Sequence, residues 1–177
     1  MGLVAFGRHR IGFWMAERTG APEIPAGLVA HVEGTPVPDG STLVLIGADE
    51  EGTPDWALVL HAPIGASLLV PWGDRLLVGL GSVALLLNED GQVLARMQFG
   101  DELLSAWPVS GGMLLFGRGG ARLVSREGRE LWHRPLEADG YQPLDLEGDR
   151  FRIAAMRLDG WDEVLIDAGS GAIVERP

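Results

Sequence analysis

Apolar runs of about four to seven residues recur along the chain, rich in Leu, Val and Ile and cut by Gly, Pro, Asp and Asn at close, fairly regular intervals. This pattern predicts short strands at 3–6, 11–16, 28–32, 42–46, 56–61, 68–70, 76–80, 83–87 and 92–97. In the second half it predicts strands at 103–107, 113–116, 121–124, 130–133, 151–156, 164–166 and 172–174. Leu favours helices, but nearly every window long enough for three turns is interrupted by one of 26 Gly or 11 Pro. A short helix near Asp101 to Ser105 is the one left open.

The strands repeat. Leu68 to Met97 and Leu103 to His133 both run as an apolar strand ending in Trp, which places Trp72 and Trp107 at the same point of successive units, a Gly turn, a strand closing on Gly79 or Gly117, another strand, an acidic-Gly turn (Asp90-Gly91, Glu127-Gly128) and a final strand. Equivalent glycines lie about 37 residues apart, a blade-like period. A third copy passes through Gly148-Asp149-Arg150, Val164 to Asp167 and Gly169-Ser170-Gly171, with a longer middle hairpin. The N-terminal region offers partial echoes: Phe6-Gly7-Arg8 matches Phe116-Gly117-Arg118, and Trp56 to Ala66 matches Trp161 to Ala172. About four units result within one domain, irregular over 1–65 and clearer over 66–177.

The run Glu127-Gly128-Arg129-Glu130-Leu131-Trp132, with Asp90-Gly91-Gln92-Val93-Leu94 and Gly169-Ser170-Gly171-Ala172-Ile173-Val174 as degenerate copies, resembles the repeats of β-propellers of the pyrroloquinoline-quinone-like (WD40-like) type over residues 66–177. The resemblance implies an all-β fold, a small or partial propeller of about four blades. Quinone-binding members have many more blades, so no cofactor is implied. An incomplete ring would leave edges open to another chain, which makes a homodimer or self-assembling subunit an expectation to test.

Charge narrows the partners. Acidic residues outnumber basic ones 25 to 14, for a net charge of -11, which opposes nucleic acid and anionic membranes and favours a basic protein. All 14 cations are Arg and Cys is absent, so lysine Schiff bases, P-loop lysines, thiol nucleophiles and thiolate metal sites are excluded. The first ten residues lack the long apolar core of a signal peptide, and no apolar run approaches the length of a membrane span, so a soluble cytoplasmic protein is expected.

Candidate chemistry is sparse. His31 and Glu33 share a strand face by the period-2 rule and His61 lies on a strand that could neighbour theirs, so these three are the weak metal candidates. Acidic clusters at 49–51, 88–90, 137–139, 147–149 and 159–163 flank turns, where Asp and Gly chemistry accounts for them. No catalytic motif is present; Gly169-Ser170-Gly171 reads as a turn. Trp72 and Trp107, beside Pro71 and Pro108, together with Trp132, Tyr141 and Arg118, are the candidate partner-binding residues, with blade-to-blade packing as the alternative role. Three functions follow: a non-catalytic module binding a basic protein, as a toxin-neutralising immunity protein would; a small-molecule or carbohydrate hydrolase using Asp or Glu on the propeller face; or a self-assembling subunit.

Overall fold

A computed structural model describes residues 2–17, 24–63, 65–136 and 140–174. The acidic cluster at 137–139 lies outside them. Seventeen strands and no helix are present among the described residues, and no helix is long and apolar enough to cross a membrane. The region held open for a helix at 101–105 instead enters a strand at Leu103. The chain divides into two compact units, 1–102 and 103–177.

In the first unit, β1 (Gly2–Phe6), β2 (His9–Glu17), β4 (Ser41–Ala48) and β5 (Pro54–Ala62) form an antiparallel sheet in that order, and β3 (Ala30–Glu33) adds to β5 in parallel. A second sheet runs β6 (Ser67–Trp72), β7 (Arg75–Leu80), β8 (Val83–Asn88), β9 (Val93–Gln98). The second unit contains β10 (Leu103–Val109), β11 (Gly112–Gly117), β12 (Gly120–Val124) and β13 (Glu130–Pro135) as one sheet. Its other sheet is β14 (Gly140–Glu147), β15 (Arg150–Arg157), β16 (Gly160–Asp167) and β17 (Ile173–Val174). Three of the sheets are four-stranded antiparallel meanders and the first is the same meander with β3 added at its edge, the blade unit that the repeat predicted, and the protein is an all-β chain of propeller type.

Alternation places the core. In the first unit Leu43, Leu45, Leu58 and Leu60 on one sheet face Leu76, Val78, Val83 and Leu85 on the next, all essentially inaccessible to solvent. The other face of the first sheet, through Val44, Ile46, Ala57 and Val59, is also buried, because Ile24, Leu28 and Ala30 from the β2–β4 connection pack over it. In the second unit Leu114, Phe116 and Ala121 meet Phe151, Ile153 and Ile166.

The turn between third and fourth strands is built the same way four times. Asp49, Asn88 and Ser125 each accept at their carbonyl from the Gly three residues on (Gly52, Gly91, Gly128), and Asp167 accepts from Gly171 across one extra residue. Their side-chain oxygens take further turn amides: Thr53 to Asp49 Oδ1 at 2.8 Å, Gln92 to Asn88 Oδ1 at 2.8 Å, Arg129 to Ser125 Oγ at 3.4 Å and Ser170 to Asp167 Oδ1 at 2.8 Å. All four glycines take positive φ, between 69° and 87°.

These turns revise the alignment of the first 65 residues. Gly52 stands four before Trp56 as Gly128 stands four before Trp132, so the counterpart of Trp56 is Trp132. Trp161 opens a third strand, and its match to Trp56 does not hold. Phe6-Gly7 closes a first hairpin and Phe116-Gly117 a second, so that echo is not structural either. Pro71 and Pro108 do coincide, each opposite the residue after the first one of its hairpin partner strand. Trp72 follows its proline and Trp107 precedes its own, which leaves the two tryptophans two positions out of register rather than aligned.

Candidate functional site

The three metal candidates do not converge. His31 pairs with Leu58 and Glu33 with Leu60, on the face turned to the neighbouring sheet, and His31 Nε2 lies 2.8 Å from Glu33 Oε1. His61 falls on the opposite parity of β5, directly across from Thr42, whose Oγ1 is 2.9 Å from its Nδ1. Period-2 alternation therefore sends His61 to the other side of the sheet. Among the described residues no group of three His, Asp or Glu side chains could hold a metal ion.

The aromatic candidates are largely engaged within the fold. Trp107 packs on Phe151 with ring centroids 4.8 Å apart. Tyr141 lies edge-on to Phe116 at 6.1 Å. Trp132 donates its indole N–H to the Ala168 carbonyl at 3.1 Å in the next sheet of its unit, and Gly171 lies so close to the indole that a Cβ there would meet the ring at 2.7 Å. Trp56 repeats the device in the first unit, donating to the Glu89 carbonyl at 3.1 Å with Gly91 against its ring. Packing between sheets, the alternative role, accounts for Trp107, Trp132 and Tyr141. Trp72 is half-buried opposite Arg75, and Arg118 is exposed in the β11–β12 turn.

In three of the sheets a bulge expels one residue of the fourth strand, ahead of the docked indoles Trp56 and Trp132 and ahead of Ala95. The register shifts at Gly47/Ala48, Leu86/Leu87 and Leu123/Val124 leave Asp55, Leu94 and Leu131 outside the ladder and exposed. Asp55 turns to His9, whose Nε2 lies 2.8 Å from Asp55 Oδ2 while the ring, 2% exposed, packs edge-on to Trp56. His9 Nδ1 is buried without a hydrogen-bond partner.

An exposed apolar cluster lies on the face of the β14–β17 sheet turned away from its core. Phe151, Ile153 and Ala155 point inward, so Arg152, Ala154 and Met156 point outward, opposite Leu165, Glu163 and Trp161 of β16. Met156 and Trp161 are directly paired across the strands and 37% and 56% exposed; Leu158, in the two-residue loop that follows, is fully exposed. The sequence carried a signal here that position alone did not decode: the longer hairpin has Met, Leu and Trp around a turn, where polar residues are expected.

Electrostatics at the other end of this face are set by two cations among four acids, Arg150 being paired across the strands with Glu147 and Asp167. Arg152 makes a two-bonded pair with Asp145, its Nε donating at 2.9 Å, and lies 3.8 Å from Glu147 and 3.7 Å from Glu163. The hydrogen bonds from Arg152 hold the Asp145 carboxyl below its ordinary value, and reciprocally raise the guanidinium. Asp167, in the adjoining turn, is also lowered, by the Ser170 hydroxyl and amide.

No protein-family model matches the chain, and no curated protein matches it in sequence. Solved structures do match in fold. BamB from Moraxella catarrhalis aligns over 77% of this chain and 45% of its own, at 16% identity and a TM-score of 0.54. The Pan2 WD40 domain of Neurospora crassa aligns over 78% and 49%, at 12% identity and a TM-score of 0.52. The chain therefore spans about half the length of the structures it matches. The propeller resemblance carried by Glu127–Trp132 and its degenerate copies is matched by the fold.

Proposed function

We propose that this chain is a non-catalytic protein-binding module acting on a basic partner in the cytoplasm, in the manner of an immunity protein that neutralises a cationic toxin. The observation that carries the reading is the exposed Met156–Trp161 pair with Leu158 beside it. Exposed large apolar side chains clustered on one hairpin favour a protein contact, and Trp is the residue most enriched among binding hot spots. A net charge of -11 selects the sign of the partner and would speed its encounter.

The chemistry of the acids supports the same reading. Asp49 and Asp167 are occupied in turns, and Asp145 in an ion pair, roles that stabilise the fold without needing a substrate. Reconstitution tests the proposal: the purified chain and a basic protein co-purified with it should form a complex of fixed stoichiometry after separate purification. Turnover in a broad hydrolase screen that is lost on a single carboxylate substitution would overturn it in favour of an enzyme.

A further inference from the structure

We propose that the outward face of the β14–β17 sheet is the docking surface, and that its occupant is a basic protein presenting an apolar residue to Trp161 and a cation to the acids around Arg152. This rests on the protein-binding reading and names where, and with what polarity, that binding takes place.

Three observations carry it. First, this face is uncovered where the centre of a comparable one is covered: in the first unit Ile24 and Leu28 pack against Val44, Ile46, Ala57 and Val59 on the outward face of the β1–β5 sheet, with exposure left at Val32 of the added β3, whereas in the second unit Met156 and Trp161 stand exposed. Second, the face is two-part. Its hairpin end is apolar, and its opposite end holds Asp145, Glu147 and Glu163 within 4 Å of the Arg152 guanidinium. Arg150 stands on the same face, paired across the strands with Glu147 and Asp167, so four carboxylates against two guanidiniums leave a negative surplus beside an apolar anchor, the arrangement of a hot spot with a charged rim.

Third, the same surplus argues against the competing occupants. A second copy docking face to face would either bring identical carboxylate clusters together, at a cost from like charge, or set each cluster against the apolar end of the other, where it gains no cation. Nucleic acid and anionic lipid meet the same repulsion.

The experiment is site-specific photo-crosslinking in cells that express the protein naturally, with p-benzoylphenylalanine in place of Trp161 and, separately, of Leu94, an exposed bulge residue of the first unit. The expected result is a light-dependent adduct from position 161 and none from 94, joining the chain to a protein of basic isoelectric point. Glu147→Arg, at a carboxylate on the periphery of the cluster, should lower the adduct yield at least tenfold without changing the melting temperature. Adducts from 94 alone, or from both positions equally, would overturn this surface and leave the protein-binding reading standing. No adduct from either position would overturn both. An adduct with the mass of two copies, an acidic partner, or indifference to Glu147→Arg would overturn the assigned occupant.

Discussion

The indole N–H of Trp132 donates to the carbonyl of Ala168 at 3.1 Å, tying the fourth strand of one sheet to the last turn of the next across 36 residues of chain. Trp56 and Glu89 repeat the bond over 33. These links are internal to their units, and they determine what each tryptophan is for.

Trp132→Phe should therefore cost about 1 kcal/mol, the worth of one hydrogen bond, and Trp132→Ala about 3 kcal/mol, from the lost indole and the space left. Trp161→Ala, by contrast, should stay within about 0.5 kcal/mol of wild type, since its side chain is exposed. Chemical denaturation of the three variants checks the contrast. A Trp161→Ala protein as unstable as Trp132→Ala would mean that Trp161 is a packing residue after all.

Glycine substitutions should separate backbone strain from ring contact. At Gly52, with φ 87° and open space around it, Ala should cost about 1 kcal/mol for the left-handed backbone alone. At Gly91 and Gly171 the same strain is joined by a methyl driven into Trp56 at 2.3 Å or Trp132 at 2.7 Å, adding roughly 1–3 kcal/mol of overpacking. Equal melting temperatures for Gly52→Ala and Gly171→Ala would count against the indole contact.

Acid should act on the second unit through Asp145 and Asp167. Both are held below the ordinary carboxylate value of 3.8, by Arg152 and by Ser170 respectively. A depressed carboxyl stabilises the fold fully above its unfolded value and loses that contribution as pH falls through the folded one. Asp167→Asn should accordingly be less stable than wild type at pH 7, and the gap should close only below about pH 4. Urea midpoints measured from pH 7 to pH 2.5 test this; a gap that is constant with pH would assign the effect to turn geometry and not to ionisation.

Salt and charge should report on Arg152. Removing its cation by Arg152→Met leaves Asp145, Glu147 and Glu163 facing one another, so the variant should gain stability from added salt relative to wild type. Thermal melts at about 0.05 and 0.5 M salt, roughly threefold apart in Debye length, distinguish this from a salt-independent packing loss.

Strands, turn positions and the propeller-type repeat were legible in the sequence because Gly, Asp and Asn mark each hairpin and Leu and Val fill the intervals. The indole docking was legible only in part. Gly128-x-x-x-Trp132 was read as a repeat mark, but Gly52-x-x-x-Trp56 was missed, since Ala95 stands where the Trp of the intervening repeat would link the two. Strand β3 was foreseen as a run of apolar residues and not as a parallel addition to β5, because parallel pairing is decided by where a connection returns and not by local pattern. The metal candidates failed on a parity that needs the register of three strands at once. Trp161 went unselected because exposure is a property of neighbours, and its cross-strand neighbour comes from β15.

The stretch from Ile24 to Glu33 does two jobs at once, lying over one face of the β1–β5 sheet and pairing with its β5 edge. Growth by stacking and growth by edge pairing are the two ways in which a blade recruits its like, and here a single short insertion obstructs the face and occupies the edge. It is in effect an end-piece carried in the middle of a repeat. Grafted into the corresponding connection of an engineered blade array, such a segment would offer a compact way to make a terminal repeat refuse further copies.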